Sequence, residues 1–170
     1  DIGNGISVES NGDVVISGKS DASWGTPVND HAGEGDALAA KINGTTGVLI
    51  WHTFLGSIGD EHGYGIAVDS KGDVFVTGYR FGLSWGSPVN GLAGNTDAFV
   101  AKLYGTSGIM VWNTFLGSDN PDYGIGITVN SSDDIFIVGY SFASWGTPVN
   151  GYVGASDAFV AKLYGTSGIM

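Results

Sequence analysis

Three tryptophan- and asparagine-bearing loops are the stretches of this sequence best suited to chemistry. The segment Ser-Trp-Gly-x-Pro-Val-Asn occurs three times, beginning at Ser23, Ser84 and Ser144. An indole can stack on a sugar ring while a neighbouring amide hydrogen-bonds the sugar hydroxyls. The predicted ligand-binding residues are therefore Trp24, Asn29, Trp85, Asn90, Trp145 and Asn150. The alternative interpretation is that each indole fills the gap between neighbouring structural units and only packs.

Catalytic constellations are not recognisable in the sequence. His31, His52 and His62 occupy different positions of the repeat and have no metal-ligand spacing. No serine and carboxylate accompany them as a triad, and no acid–base pair can be named. Near-identical units also argue against a single asymmetric active site, because catalysis needs different residues in distinct roles. The sequence therefore predicts a protein that is not an enzyme.

Acidic turns give a weak signal for calcium. The turns at 69–73 and 130–134 carry carboxylate and amide oxygens, but without the spacing of an EF-hand. Asp and Asn also favour turns for purely local reasons. A second candidate set on the loops comprises Asp60, Glu61, Asp119 and Asp122. We predict no cofactor and keep Ca²⁺ as the alternative.

The charge of the chain excludes several classes of partner. Six Lys and Arg stand against 17 Asp and Glu, which gives a formal net charge of -11. Such a chain repels phosphate backbones and anionic lipid surfaces, so neither nucleic acid nor membrane insertion is expected. Cysteine is absent, which excludes disulfides and thiolate metal sites.

A repeat of 60 or 61 residues organises the chain. Three sets of anchors show it: Gly5, Gly65 and Gly126; Trp24, Trp85 and Trp145; Asp36, Asp97 and Asp157. Several short strands in a unit of this length are typical of propeller blades or a β-solenoid. We predict three units, at 1–56, 57–117 and 118–170. The chain begins in mid-pattern, so we expect it to be part of a longer protein.

Each unit is predicted to contain four antiparallel strands, at 65–68, 74–78, 97–103 and 110–116 in the second unit. Val74 and Val76 alternate with Phe75 and Thr77, and both faces are apolar, as in a sheet packed between two neighbours. The third unit lacks its fourth strand, which leaves a strand edge at 157–163 that must be paired or covered. The fold class is all-β, built from four-stranded propeller blades.

The order of the strands predicts where binding occurs. Successive connections of an up-and-down sheet alternate between its two ends. The short turns at 69–73 and 104–108 therefore share one end, and the longer connections at 79–96 and 117–124 share the other. Longer loops carry function more often than tight turns. We expect a ligand at the long-loop end.

The segment Gly63–Tyr79, followed by SWGSPVN, DAFVAKL and WNTFLGS, closely resembles the bacterial SBBP repeat, the "seven-bladed β-propeller" family. The resemblance extends over nearly three units and implies β-propellers in secreted or surface-attached bacterial proteins, with no defined activity. Gly47–Trp51 and Gly108–Trp112 also resemble the tryptophan-docking motif of quinone-dependent dehydrogenases. That resemblance implies that each Trp docks one blade on the next; nothing resembles a quinone pocket.

Three functions follow in order of preference. The first is a non-catalytic extracellular module for binding or adhesion, with a glycan or protein ligand on the long-loop face. The second is a structural building block of a bacterial surface assembly or filament, in which blades pair across chains. A propeller enzyme ranks last. Three blades are fewer than the four to eight of a propeller, so flanking blades or further copies would complete a ring.

Overall fold

The computed structural model describes residues 1–170 as eleven β-strands without a helix. The strands are β1 (Ile2–Val8), β2 (Val14–Ser20), β3 (Asp36–Ile42), β4 (Leu49–Leu55), β5 (Asp60–Val68), β6 (Val74–Phe81), β7 (Thr96–Leu103), β8 (Met110–Leu116), β9 (Asp122–Val129), β10 (Asp134–Ser141) and β11 (Asp157–Tyr164). They form three antiparallel sheets in chain order, β1–β4, β5–β8 and β9–β11. The all-β class and the repeating sheets are confirmed. No helix is present that could cross a membrane.

The first strand of each sheet is longer than predicted. These strands begin at Ile2, Asp60 and Asp122, several residues before the predicted glycines. The reason is a β-bulge, seen in the second sheet as a register shift between Gly63 and Gly65. An extra residue interrupts the two-residue alternation, so the sequence pattern ends at the bulge. Gly78 pairs with Gly63 on the neighbouring strand. Only glycine fits at this position, because a Cβ there would lie 1.8 Å from the His62 carbonyl oxygen.

The core consists of two apolar layers between neighbouring sheets. We call the face of each sheet that points towards the first-sheet end of the array its front, and the face that points towards the third-sheet end its back. Val74 and Val76 on the front of the second sheet belong to the first layer, and Phe75 on its back belongs to the second. The predicted division of these residues between two packed faces is therefore confirmed.

Tryptophan docking joins the sheets, as the resemblance implied. The Trp51 indole Nε1 donates a hydrogen bond to the Gly105 carbonyl oxygen at 2.9 Å. Its ring lies against Gly108, where a Cβ would be 2.7 Å from the indole. Trp112 covers Gly168 in the same way at the next junction. The packing role of these two indoles is confirmed.

The two outer faces of the array are exposed. On the front of the first sheet Ile6 is 71% exposed, and on the back of the third sheet Val160 is 74% exposed. The three sheets therefore form an open stack and not a closed ring. The third sheet has three strands in the order β11-β10-β9, so β11 is a free edge, as predicted.

Candidate functional site at the long-loop end

The long loops run along the outer edge of the fourth strand. In the first sheet the Val28 N–H donates to the His52 carbonyl oxygen at 2.9 Å, and the Phe54 N–H donates to that of Asn29 at 3.3 Å. The second sheet repeats both bonds, Val89 to Asn113 at 2.8 Å and Phe115 to Asn90 at 3.2 Å. Each loop thus acts as a short extra partner of its sheet.

The predicted tryptophans turn inward from these loops. Trp85 is 7% exposed and packs edge-on against Phe115, with ring centroids 5.8 Å apart. Trp24 stacks flat on His52, with a centroid distance of 3.9 Å and an interplanar angle of 3°. Trp145 packs edge-on against Phe159 at 5.0 Å. All three indoles contact strands of their own sheet, which favours the packing interpretation.

The predicted asparagines remain at the surface. Asn29, Asn90 and Asn150 are exposed, and in the first two loops it is the backbone carbonyl that is engaged. The structure therefore separates the two halves of each predicted site, since the indole lies inward and the amide outward. Ligand binding by these six residues stays a prediction.

A stripe of aromatic rings crosses the second and third sheets at the long-loop end. We call it the aromatic stripe; its members are His62, Tyr64, Tyr79, Tyr123, Tyr140 and Phe142. His62 stacks on Tyr79 with centroids 4.7 Å apart, and Tyr123 stacks on Tyr140 at the same distance. Tyr79 meets Tyr123 edge-on at 4.9 Å, which links the two sheets. The result is a continuous, partly exposed aromatic surface.

Strand register places these rings. His62 pairs with Tyr79 across β5 and β6, and Tyr123 pairs with Tyr140 across β9 and β10. Directly opposed side chains on one face of an antiparallel pair lie close enough to stack. The two pairs occupy equivalent positions of the repeat, so packing one sheet on the next brings them together.

Polar groups surround the aromatic stripe. Asp60 lies 2.7 Å from the Lys19 ammonium and 3.0 Å from the His62 Nε2. Although burial opposes it, the hydrogen bonds from Lys19 and His62 lower the pKa of Asp60 below its usual value. Burial, with the nearby Tyr64 and Asp60, raises the pKa of Tyr79 to about 12. The phenol is thus a neutral hydrogen-bond donor at ordinary pH.

The sequence pattern predicts the face of the strand on which Tyr79 lies, but it does not predict that the aromatic stripe forms. The Gly-Tyr dipeptides at 78–79 and 139–140 were a usable signal. The partner rings lie before the bulges, in the strand segments that the pattern failed to predict. Without those segments, the cross-strand pairs of aromatic residues could not be predicted.

Buried carboxyl groups meet at the junction of the first two sheets. Asp36 and Glu61 are both 0% exposed. A Cβ at Gly56 would lie 2.4 Å from Glu61 Oε2 and 2.7 Å from Asp36 Oδ1, so both oxygens surround that glycine. Burial, with a smaller contribution from the Asp36 charge, raises the pKa of Glu61 to about 7. Asp97 and Asp122 repeat the arrangement at the next junction, and burial raises the pKa of both.

This burial predicts a stability that declines with rising pH. Native Glu61 holds its proton up to about pH 7, whereas the unfolded chain releases it near pH 4.5. Stability present below the unfolded pKa is therefore lost as the pH rises through 7. We expect the free energy of unfolding to fall by about 2 kcal/mol between pH 5 and pH 8. Glu61→Gln should flatten that profile in urea denaturation.

The exposed Glu34 provides the control for this prediction. Glu34→Gln removes one carboxyl group from the same end of the molecule without touching the junction. It should leave the slope between pH 5 and pH 8 unchanged. An unaltered slope in Glu61→Gln would show that the junction carboxyl groups do not govern the pH dependence.

The carboxylates of the acidic turns form ion pairs with lysines of the third strand of the same sheet. Asp69 and Asp73 lie 3.5 and 3.0 Å from the Lys102 ammonium, and Asp134 lies 2.7 Å from that of Lys162. No group of three or more His, Cys, Asp or Glu side chains is placed to hold a metal ion. The carboxylates that suggested calcium in these turns thus have internal counter-ions.

Comparison with known proteins adds one match, over residues 50–79, to the SBBP family, a beta-propeller repeat. This stretch is an SBBP repeat. The match includes Trp51 of the docking contact, all of β5 and the start of the aromatic stripe at His62. It confirms the family predicted from the sequence. No curated protein matches the chain.

The stretch that matches the SBBP repeat supplies part of the scaffold around the site. Its matched residues include both bulge glycines of β5, Gly63 and Gly65, and the turn at 69–73. Equivalent residues recur in the units before and after it. The family match supports a repeat module in general terms, and a repeat scaffold does not by itself define a ligand.

Proposed function

We propose that this chain is a non-catalytic module for binding or adhesion, acting outside the cell as a secreted or surface-attached protein. Its ligand is a glycan, held at the long-loop end. The observation that carries the proposal is the aromatic stripe, which presents ring faces from two adjacent sheets. The SBBP match supports a repeat module as the scaffold of this site.

The aromatic stripe has the chemistry of a sugar-binding surface. Tyr140 and Phe142 are 39% and 42% exposed, so ring area is open to the C–H face of a pyranose. Burial, with nearby tyrosines, raises the pKa of Tyr140, so its hydroxyl remains a neutral donor for sugar oxygens. The net charge of -11 favours neutral over anionic glycans.

The loop residues predicted from the sequence extend this proposal. Asn29, Asn90 and Asn150 offer exposed amides in three repeated loops. Weak sites repeated on one rigid scaffold gain affinity for a polymeric ligand through effective concentration. The proposed partner is therefore a glycan chain, or a surface protein that carries one. The proposed binding requires no cofactor, nucleic acid or membrane insertion, and a calcium titration tests the metal alternative.

A glycan array followed by calorimetry tests the proposal. We expect Tyr140→Ala to weaken binding of the best array glycan about tenfold, because a stacking ring and a donor are lost. The matched control is Tyr164→Ala, which removes a tyrosine that is 55% exposed on β11, at its short-turn end. Equal affinity of the Tyr140→Ala and unmodified chains would reject the stripe, and no array response would reject the glycan.

A second candidate is a building block of a surface assembly. The exposed front of the first sheet, the exposed back of the third and the free edge of β11 favour it. Such surfaces pair with matching surfaces of other polypeptides. Light scattering after size exclusion and electron microscopy should show ordered oligomers or filaments. A strictly monodisperse monomer at high concentration would contradict this function.

A further inference from the structure

Asparagine is followed by glycine at five places in the chain, at Asn4, Asn11, Asn43, Asn90 and Asn150. Glycine has no Cβ, so the backbone nitrogen after such an asparagine is unobstructed. We propose that Asn90 is a site of spontaneous deamidation, at which water converts the side-chain amide into a carboxylate. Asn90 belongs to the second sheet, which has all four strands and a neighbour on each side.

The reaction needs only water and two adjacent residues. The Gly91 backbone nitrogen loses its proton and attacks the side-chain carbonyl carbon of Asn90. A C–N bond forms, the bond to Nδ2 breaks, and ammonia leaves with the proton, which produces a five-membered succinimide. Water then opens either C–N bond of that ring, so the products are aspartate and isoaspartate. Nothing is oxidised or reduced, and the loop gains one negative charge.

Both reacting groups are free at Asn90. Asn90 and Gly91 are exposed. Only the backbone of Asn90 is engaged, since its N–H donates to the Thr114 hydroxyl at 3.2 Å and its carbonyl oxygen accepts from the Phe115 N–H at 3.2 Å. The side-chain amide and the Gly91 N–H make no hydrogen bond within the protein. Attack by the nitrogen therefore breaks no existing interaction of either group.

The same dipeptide is restrained at Asn43. The Asn43 side-chain oxygen accepts from the Thr46 N–H at 2.9 Å. The Gly44 N–H, which would be the nucleophile, donates to the Asp13 carboxylate at 3.2 Å. Both reacting groups are thus held in the turn, and this site reacts only after the turn opens.

The two Asn-Gly steps of the first hairpin are restrained as well. The Asn11 amide donates to the Asp13 carboxylate at 3.0 Å, and the Gly12 N–H donates to the Glu9 carbonyl oxygen at 2.9 Å. The Asn4 amide lies within β1 and donates to a carbonyl oxygen of β5 at 2.8 Å. The fold therefore distinguishes Asn90 from these steps, although the dipeptide is the same.

The first long loop contains a matched asparagine. Asn29 is exposed, and its carbonyl oxygen accepts from the Phe54 N–H at 3.3 Å, the equivalent of the bond at Asn90. The next residue is Asp30 instead of glycine. The Cβ and the negative charge of aspartate hinder the attacking nitrogen. Asn29 should therefore deamidate more slowly than Asn90 in similar surroundings.

The products alter the contact between the loop and β8. Isoaspartate inserts a methylene group into the main chain, between the N–H and the carbonyl group of residue 90. These two groups bond to Thr114 and Phe115, so an isoaspartate cannot keep both bonds in their present geometry. The Phe115 amide should consequently exchange its hydrogen faster in chains that contain isoaspartate.

Peptide mapping by mass spectrometry during incubation of the 170-residue chain at pH 8 tests the proposal. The peptide that contains Asn90 should gain about 1 Da, and electron-transfer fragmentation should locate both aspartate and isoaspartate at this residue. In the folded chain Asn90 should react about tenfold faster than Asn43, because only Asn43 requires local opening. In urea the two rates should become similar.

Two variants make the test specific. Gly91→Ala should slow the reaction at Asn90 about tenfold, because the new Cβ crowds the nucleophile. The variant should fold normally, since nothing lies within 4 Å of a Cβ at Gly91. Asp30→Gly is the reciprocal change, and it should raise the rate at Asn29 to that at Asn90. The measured mass change is independent of the proposed glycan binding.

Four results would overturn the proposal. The first is a rate at Asn90 that does not exceed the rate at Asn43 in the folded chain, and the second is a difference that persists in urea. The third is an unchanged rate at Asn90 in Gly91→Ala. The fourth is an Asp30→Gly chain in which Asn29 stays as slow as before.

Discussion

Replacing Arg80 by methionine should lower the free energy of unfolding at pH 7 by about 3–5 kcal/mol. Arg80 is 0% exposed, and its guanidinium donates to the carbonyl oxygens of Gly94 at 3.1 Å and Asn95 at 3.3 Å. Its charge also acts on the buried Glu61 and Asp97 carboxyl groups. Methionine fills much of the same volume but leaves those acceptors and carboxyl groups without a donor or a counter-charge.

The loss should depend on pH. The pKa of Glu61 is raised to about 7, so at pH 5 this group is neutral in the folded protein. The missing positive charge then matters less, and the difference between Arg80→Met and the unmodified chain should shrink. Urea denaturation at pH 5 and pH 8 measures both values.

Arg80→Lys separates charge from geometry. Lysine keeps the positive charge but cannot reproduce the planar fork of donors. We expect it to recover about half of the lost stability. A loss below 1 kcal/mol in Arg80→Met, or an equal loss at both pH values, would show that the guanidinium does not balance the junction carboxyl groups.

Replacing Gly108 by alanine should cost about 3 kcal/mol, against about 1 kcal/mol for the same change at Gly47. Both glycines have a φ of 71° and occupy equivalent turns of the repeat. The largest difference between them is what lies above each glycine. A Cβ at Gly108 would be 2.7 Å from the Trp51 indole, whereas nothing lies within 4 Å of one at Gly47.

The pair of variants therefore separates backbone strain from sheet docking. The cost at Gly47 reports the left-handed backbone conformation alone. The additional cost at Gly108 reports displacement of the indole that joins the first two sheets. In a Trp51→Ala background Gly108→Ala should cost no more than Gly47→Ala. Urea denaturation followed by circular dichroism measures the unmodified chain and the four variants, and equal costs at the two glycines in the unmodified background would contradict the docking role.

Most of the fold could be predicted from the repeat in the sequence. The 60- or 61-residue spacing, the four-strand pattern and the alternation at Val74, Phe75 and Val76 predicted the sheets and their two packed faces. These features are local, because a strand's alternation and a turn's residues are set by neighbours in the chain. The docking role of Trp51 and Trp112 could be predicted from a motif resemblance, because that motif is also a short, local stretch of sequence.

The candidate site depended on the bulges and on contacts between units. A bulge shifts alternation by one residue, so His62 and Tyr123 lay outside the predicted strands and the aromatic stripe was not foreseen. The sequence also predicted that Trp85 and Asn90 bind one ligand together. Folding turned the indole into the apolar layer and left the amide in water, because the indole gains more from burial.

The sequence by itself determined the repeat, the order of the strands and the resemblance to the SBBP repeat, since these rest on short-range pattern. The tertiary structure alone decided which side chains meet across the junctions. Asp36 and Glu61 lie 25 residues apart in the chain and meet only because one sheet packs on the next. The aromatic stripe arises in the same way, because Tyr79 and Tyr123 meet across two sheets and no single unit encodes that contact.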